Sequence, residues 1–488
     1  MTLPNATLDQ GLGPNASQVS VTPMDKILEL ILALVIIGAT LAFGGVQPLA
    51  YSAVEVVLFL ALLLLFLTRT RKTKTDIPIP LWPVLFALLV GFQVVPLPTS
   101  LIARLSPWRC QDLDLARLSC GKEVWITLSI FPHDTLLALL KFLAYLSAFL
   151  LAAYLFDSGR RKSTLIRGLI FIGCFEAAYG ILQYLTGWQK IFSYAKQFDL
   201  EEATGTYINR NHFAGLLELI VPFVLALAFY SLQRRDERRQ GGESGQTARG
   251  NSSSSFQSLF YFFLAVVLMV ALVFSRSRGG MLASLFSLTF MGLLAQLKVR
   301  RKAWMVGIFA VLLAMIGYGL WIGLDPVLAR FEQMREPGYL QLEGRLTIWK
   351  DALPLVRDYP VVGTGLGTFG TAFRRYQTNL VDRYVDHAHN DYLEFAADTG
   401  LLGAAFLFLP ILYLFVKMII CFLDDPRRYR RAITLGCIGS TLALLIHSAT
   451  DFNLQIPANA LIVAVVLGIG YKTVCIERRE SAGENVKL

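Results

Sequence analysis

The stretch AYSAVEVVLFLALLLLFL (50–67) runs straight into TRTRKTKT (68–75), and that junction decides the fold. A single acid interrupts an apolar run of the length needed to cross a hydrocarbon core of ~30 Å, about 20 residues. A cluster of Lys and Arg then closes it, as at the cytoplasmic end of a membrane helix. Comparable runs fall near 27–47, 80–97, 135–157, 165–186, 212–231, 258–274, 279–297, 303–323, 400–420, 431–449 and 457–475. The composition agrees: of 488 residues, 55% are hydrophobic and only 16% charged, with a mean hydropathy of +0.54, a balance foreign to soluble domains. The expected fold class is an all-α integral membrane protein with about twelve transmembrane helices.

The other basic connections are GRRK (159–162), RRDERR (234–239), KVRRK (298–302), RRYRR (427–431) and the tail beyond Lys472. Each follows an even-numbered span, which predicts that these loops and both termini are cytoplasmic. The net charge of +10 is then a consequence of topology and does not argue for nucleic acid. Residues 1–26 read as a polar cytoplasmic tail without a basic start, so the first span is expected to serve as an uncleaved insertion signal. Five spans occupy 27–205, a motif-bearing region follows over 206–475, and 476–488 form a second cytoplasmic tail.

Two connections exceed what joining helices requires. The stretch 234–255 is rich in Gly, Ser and charge and reads as a flexible linker. The other, about 324–399, carries helical patterning of its own and is expected to be one large structured periplasmic loop. Cys110 and Cys120 share a further external connection and are candidates for a disulfide.

On this topology the polar residues that composition does not explain gather outside. TYINRNHFAG (206–215) precedes the sixth span, SRSRGG (275–280) joins the seventh and eighth, and HSATDFNLQIP (447–457) joins the last two. The long loop adds Arg345 and DHAHNDYLEFAADTGLLG (386–403). Arg276 and Arg278 stand where the eighth span begins, beside free backbone N–H groups and a positive dipole end. They read as an anion site suited to phosphate, or as snorkelling cations. Arg210 stands likewise before the sixth span.

In the loop stretch, Asn390 is a good N-cap, Asp391 and Glu394 fall in the first turn, and Gly400 is placed to end the helix. His389 precedes that helix and is expected to act as a proton acceptor, a general base beside a phosphate site. His387 reads as a group that orients His389 or a substrate hydroxyl, or as a solvated neighbour. His212 and His447 read as structural hydrogen-bonding groups at span ends. GTGLGTF (363–369) lacks the preceding strand and the Lys of a nucleotide-binding loop, so it reads as tight turns. No metal and no cofactor are expected.

The run His389-Asn390, followed after nine residues by Gly400-Leu-Leu-Gly403, resembles the signature of the O-antigen ligase family, bacterial membrane glycosyltransferases that include polymerase relatives. TYINRNHFAG and SRSRGG are similar to that family's other outer-face motifs, so the resemblance covers about Thr206 to Pro457. It implies a glycan donor carried on undecaprenyl pyrophosphate, transferred with inversion to a lipid or glycan acceptor hydroxyl at the periplasmic face of the inner membrane, without metal or nucleotide. Carried over position by position, the essential histidine falls on His389 and the diphosphate-holding arginines on Arg210 and Arg278, with Arg276 and Arg345 as further candidates. The doubled histidine His387-Ala-His389 is similar to polymerase-like members, so ligase and polymerase readings both stand. A transporter or flippase is the alternative from another class; it would place charges at midspan, where Lys141, Glu176 and Glu218 are the main examples.

Overall fold

The computed structural model describes residues 22–68, 80–111, 125–155, 159–240, 248–298, 342–378 and 384–481, with residues 313 and 317. Its helices are α1 (Pro23–Leu41), α2 (Pro48–Thr68), α3 (Leu81–Gln93), α4 (Thr99–Leu105), α5 (Pro132–Leu155), α6 (Gly159–Thr186) and α7 (Arg210–Gln240). They continue as α8 (Ala248–Phe274), α9 (Arg278–Lys298), α10 (Leu342–Asp358), α11 (Phe369–Phe373), α12 (Asp391–Asp424), α13 (Arg428–His447) and α14 (Pro457–Ser481). Strand structure is confined to two short antiparallel pairs among the described residues, Leu97–Pro98 with Trp125–Ile126 and Lys190–Ile191 with Tyr194–Ala195.

Eight of the described helices are long and apolar enough to cross a membrane: α2, α5, α6, α7, α8, α9, α12 and α14. This is a helical, multi-pass membrane protein. The span read at 303–323 lies outside the described residues except for residues 313 and 317, and Cys120 and the start of the long loop lie outside them too. The span read at 80–97 is shorter than expected, a helix of 13 residues. Pro96 and Pro98 end it, because proline has no N–H to continue the ladder and its ring forces the preceding residue out of the helical region.

Helix α7 is the centre of the bundle, packed against α8, α9 and α13. Its residues Phe213–Phe229 are apolar around almost the whole circumference and nearly all buried, as expected for a helix without a polar face. Where it meets α13 the Ser440 hydroxyl donates to the Leu219 carbonyl at 2.5 Å. Leu30, Leu60, Phe171, Phe263 and Leu293 point outward from other helices, the pattern of a lipid-facing surface.

The described part of the long connection is folded. Helices α10 and α11 enclose a small core of their own, with Leu355, Tyr359, Phe369 and Phe373 packed against Ala388 and Ala397. The glycine-rich segment 363–369 stitches this unit to α12: Thr364 N donates to Ala397 O at 3.0 Å and Gly365 N to Asp398 O at 2.8 Å. Three of its glycines take positive φ. The tight-turn reading therefore holds.

Gly400 interrupts α12 at φ 67°, ψ 176°, a combination open essentially to glycine alone. A Cβ there would run into the Val361 carbonyl, and Leu401 N donates to Pro360 O at 2.8 Å just beyond the break. The sequence placed the end of the first segment correctly. Beyond Gly400, α12 resumes as its membrane-crossing part.

Candidate functional site

The turn between α13 and α14 is the hub of the site. Ser448 to Ile456 leave one helix and re-enter the next, and the loop before α12 is tied to that turn. Asp391 N donates to Ser448 O at 2.8 Å, and the Asp391 carboxylate accepts from Ser448 Oγ at 2.8 Å and Leu454 N at 3.2 Å. Asn390 caps α12, accepting from Leu393 N at 3.1 Å. Acids in a first turn commonly serve the helix dipole; here both carboxylates turn to side chains and backbone outside the helix.

His389 adopts φ 50°, a left-handed conformation that costs a non-glycine residue on the order of 1–3 kcal/mol. The residues before it hold it there. Glu394 accepts from Ala388 N at 2.9 Å and pairs with His387 Nδ1 at 2.8 Å, while Trp349 Nε1 donates to Ala388 O at 2.9 Å. Burial alone would push the His387 pKa down. The Glu394 carboxylate, helped by Asp386 and Asp391, more than reverses that and lifts it to about 9. His387 is therefore a cation near pH 7, paired to Glu394.

His389 Nδ1 lies 3.5 Å from Asp451 Oδ1 without a hydrogen bond between them. That carboxylate is the common partner of the cluster. Arg345 reaches Asp451 Oδ2 at 3.3 Å and donates to Thr450 O at 2.6 Å, and His212 Nε2 lies 3.8 Å from Asp451 Oδ1. Burial would raise the pKa of so enclosed a carboxyl, but the imidazoles of His212, His389 and His447 around it hold it well below the usual range. Phe452 packs against all three rings nearest it: His387 stacks on it at 4.1 Å, and His389 and His212 meet it edge-on at 4.9 and 4.6 Å.

The arginines stand around the same hub, but in different states. Arg210 opens α7, two residues before His212, and is ion-paired to Glu202 and, at 3.6 Å, to Asp199. Arg276, at φ 51°, reaches Glu201 at 3.3 Å and the same Glu202 oxygen at 4.0 Å. Glu202 thus lies between two cations. Arg278 is the first residue of α9 and is exposed, with no ion pair among the described residues. The next residue, Gly279, lies against His447 Nε2 and Thr450 Oγ1, so the start of α9 adjoins the hub.

The structure therefore gathers His387, His389 and Arg345 directly, and Arg210, Arg276 and Arg278 at the margin of the same cluster. His447 pairs with buried Glu218 at 3.0 Å, in line with its structural reading. His212 differs from that reading: its Nε2 makes no hydrogen bond, and it faces Asp451. Of the midspan acids, Glu176 binds Thr206 N and Oγ1 at 2.8 and 2.7 Å and so anchors the loop before α7.

Residues 262–408 match the O-antigen ligase family. The region runs from α8 to the middle of α12 and includes Arg276, Arg278, Arg345, His387, His389 and Gly400. It is narrower than the resemblance read from the motifs, and leaves Arg210, His212 and Asp451 outside. No curated protein matches the chain.

Sequence reasoning missed Asp451, Glu394 and Phe452 as members of the site. Asp451 and Phe452 lay inside a stretch already marked as polar without compositional cause. The signal was an acid directly after a span end, on the side shared with the histidines.

Proposed function

We propose that the chain is an inner-membrane glycosyltransferase of the O-antigen ligase type that moves a glycan from undecaprenyl pyrophosphate to an acceptor hydroxyl at the periplasmic face. The observation that carries this reading is the placement of His389 Nδ1 3.5 Å from the buried Asp451 carboxylate, within ion-pair reach although no hydrogen bond joins them. It fixes which ring nitrogen faces the carboxylate and leaves Nε2 for the substrate.

In this mechanism His389 Nε2 takes the proton of the acceptor hydroxyl as its oxygen attacks the anomeric carbon from the face opposite the diphosphate. The bond from that carbon to the diphosphate oxygen breaks, its electron pair leaves with the diphosphate, and the configuration inverts. Asp451 orients the imidazole and stabilises the imidazolium that forms. Arg278, with Arg210, Arg276 and Arg345, neutralises the departing diphosphate; the guanidinium fork suits its oxygens. His387, already cationic, does not compete as a base and shapes the turn that presents His389.

The paired arrangement His387-Ala-His389 favours a second reading within the same superfamily, a polymerase whose acceptor is another lipid-linked glycan. Deletion of the gene separates the two: single lipid-linked units accumulate if the protein polymerises, and an uncapped lipid acceptor beside normal polymer accumulates if it ligates. A deletion that produces neither of these glycan phenotypes would refute the transferase reading.

A further inference from the structure

A cavity of ≈ 440 Å³ lies between α2, α3, α5, α12 and α14, beside the histidine cluster. Its walls are Trp82, Phe86, Phe149, Leu407 and Leu467, and its polar end carries Asp134, Asp386, His387 and Glu394. The size falls within the usual range for small-ligand pockets. Four of the five helices around it lie outside the matched family region, and nothing in the proposed chemistry uses it.

A lysine faces this space as well as His387. Lys141 of α5 lines the cavity, with its ammonium 4.1 Å from the Tyr51 ring centroid. Among the described residues it makes no hydrogen bond. Glu55 on α2 attracts it, yet Glu55 Oε1 has no hydrogen-bond partner either, so the two do not close on each other. Ammonium groups carry three donors, and leaving them unmet in an apolar wall is costly. Charged residues inside membrane spans usually mark a ligand or a pathway. Side chains on a helix lean toward its N-terminus, so Lys141 points toward the end of the cavity that holds Asp134, and His387 closes that end.

We propose that this cavity seats an amphiphile whose phosphate is held by Lys141 and whose apolar chain fills the space below. It is a site for lipid-borne phosphate separate from the arginines. Of the acids at the rim, Glu394 is engaged by His387 at 2.8 Å, Asp134 faces Lys141 and attracts it, and Asp386 offers an acceptor for head-group hydroxyls. On the transferase reading, on which this role rests, the occupant is the acceptor, because its head group would lie beside His387 in a cavity whose lining contains no arginine.

Photo-crosslinking locates the occupant without turnover, so its outcome is independent of the catalytic proposal. Tetradecyl phosphate and farnesyl phosphate, each with a diazirine at the chain end, are compared with the corresponding alcohols on purified protein, and labelled peptides are mapped. The phosphates should label α5 and α14 at concentrations tenfold or more below the alcohols. That preference should vanish in Lys141→Met and persist in Lys141→Arg, while Ala464→Trp, which fills the apolar end, should abolish labelling by all four probes. Stronger labelling by one chain type assigns the occupant as isoprenoid or acyl. A phosphate preference that survives in Lys141→Met, or equal labelling by phosphates and alcohols in the wild type, overturns the proposal.

Discussion

Asp451→Asn is the substitution that bears most directly on how His389 is activated. It keeps the shape of the side chain and removes one charge from a carboxylate only 1% exposed, 3.5 Å from His389 Nδ1. At an effective dielectric constant of about 20, a unit charge at that distance interacts with a forming imidazolium by about 5 kcal/mol. The His389 side chain is 29% exposed, and solvent screening reduces the figure to about 3–4 kcal/mol. At 1.36 kcal/mol per decade, transfer should slow by roughly 10²–10³-fold. The assay is glycan transfer by purified protein, with donor binding and accumulation in the membrane measured alongside. Donor affinity should not fall, since the diphosphate is assigned to the arginines and the substitution only releases Arg345 from its acid partner. Transfer within about threefold of wild type in a normally accumulating variant would refute the charge-stabilisation argument.

On the arginine side, Arg278→Lys keeps the charge and loses the fork, so donor titration should show weaker binding; equal affinities would remove Arg278 from the diphosphate site. Glu202→Gln removes the acid that holds Arg210 and lies near Arg276, and should tighten donor binding several-fold, whereas unchanged or weaker binding would show that Glu202 only supports the loop. The His387–Glu394 pair makes stability depend on pH. Because the folded pKa is raised from 6.5 to about 9, its contribution is complete below about pH 6.5 and is lost as pH rises through about 9. Thermal unfolding in detergent should therefore show a Tm decline over that window in the wild type that is absent in Glu394→Gln; parallel curves would contradict the pairing.

The membrane character, the helix opening at Asn390 and the break at Gly400 were legible in the sequence because each is a local property: span length, a capping side chain, a conformation that only glycine tolerates. His387, His389 and the arginines were legible as chemistry out of place in an apolar chain. Asp451 was not, because its meaning comes from contact with His389 and Arg345, which belong to distant segments that only the fold brings together. Glu394 was legible only as a first-turn acid, since nothing local shows its carboxylate folding back onto His387 and Ala388. The pairing of Arg210 with Asp199 and Glu202 was hidden for a related reason: these acids lie in an irregular loop whose path no periodicity predicts. The shortness of α3 was in principle readable from Pro96 and Pro98, but hydropathy outweighed them.

The central claim is that His389 removes the acceptor proton while other residues hold the donor. Its most direct test is a paired measurement on purified His389→Ala: transfer from a lipid-diphosphate-linked glycan, and equilibrium binding of that same donor. The account predicts a loss of transfer of about 10²–10⁴-fold, the usual scale for a general base, with donor affinity and accumulation unchanged. Near-normal transfer, or donor binding lost together with transfer, would contradict it.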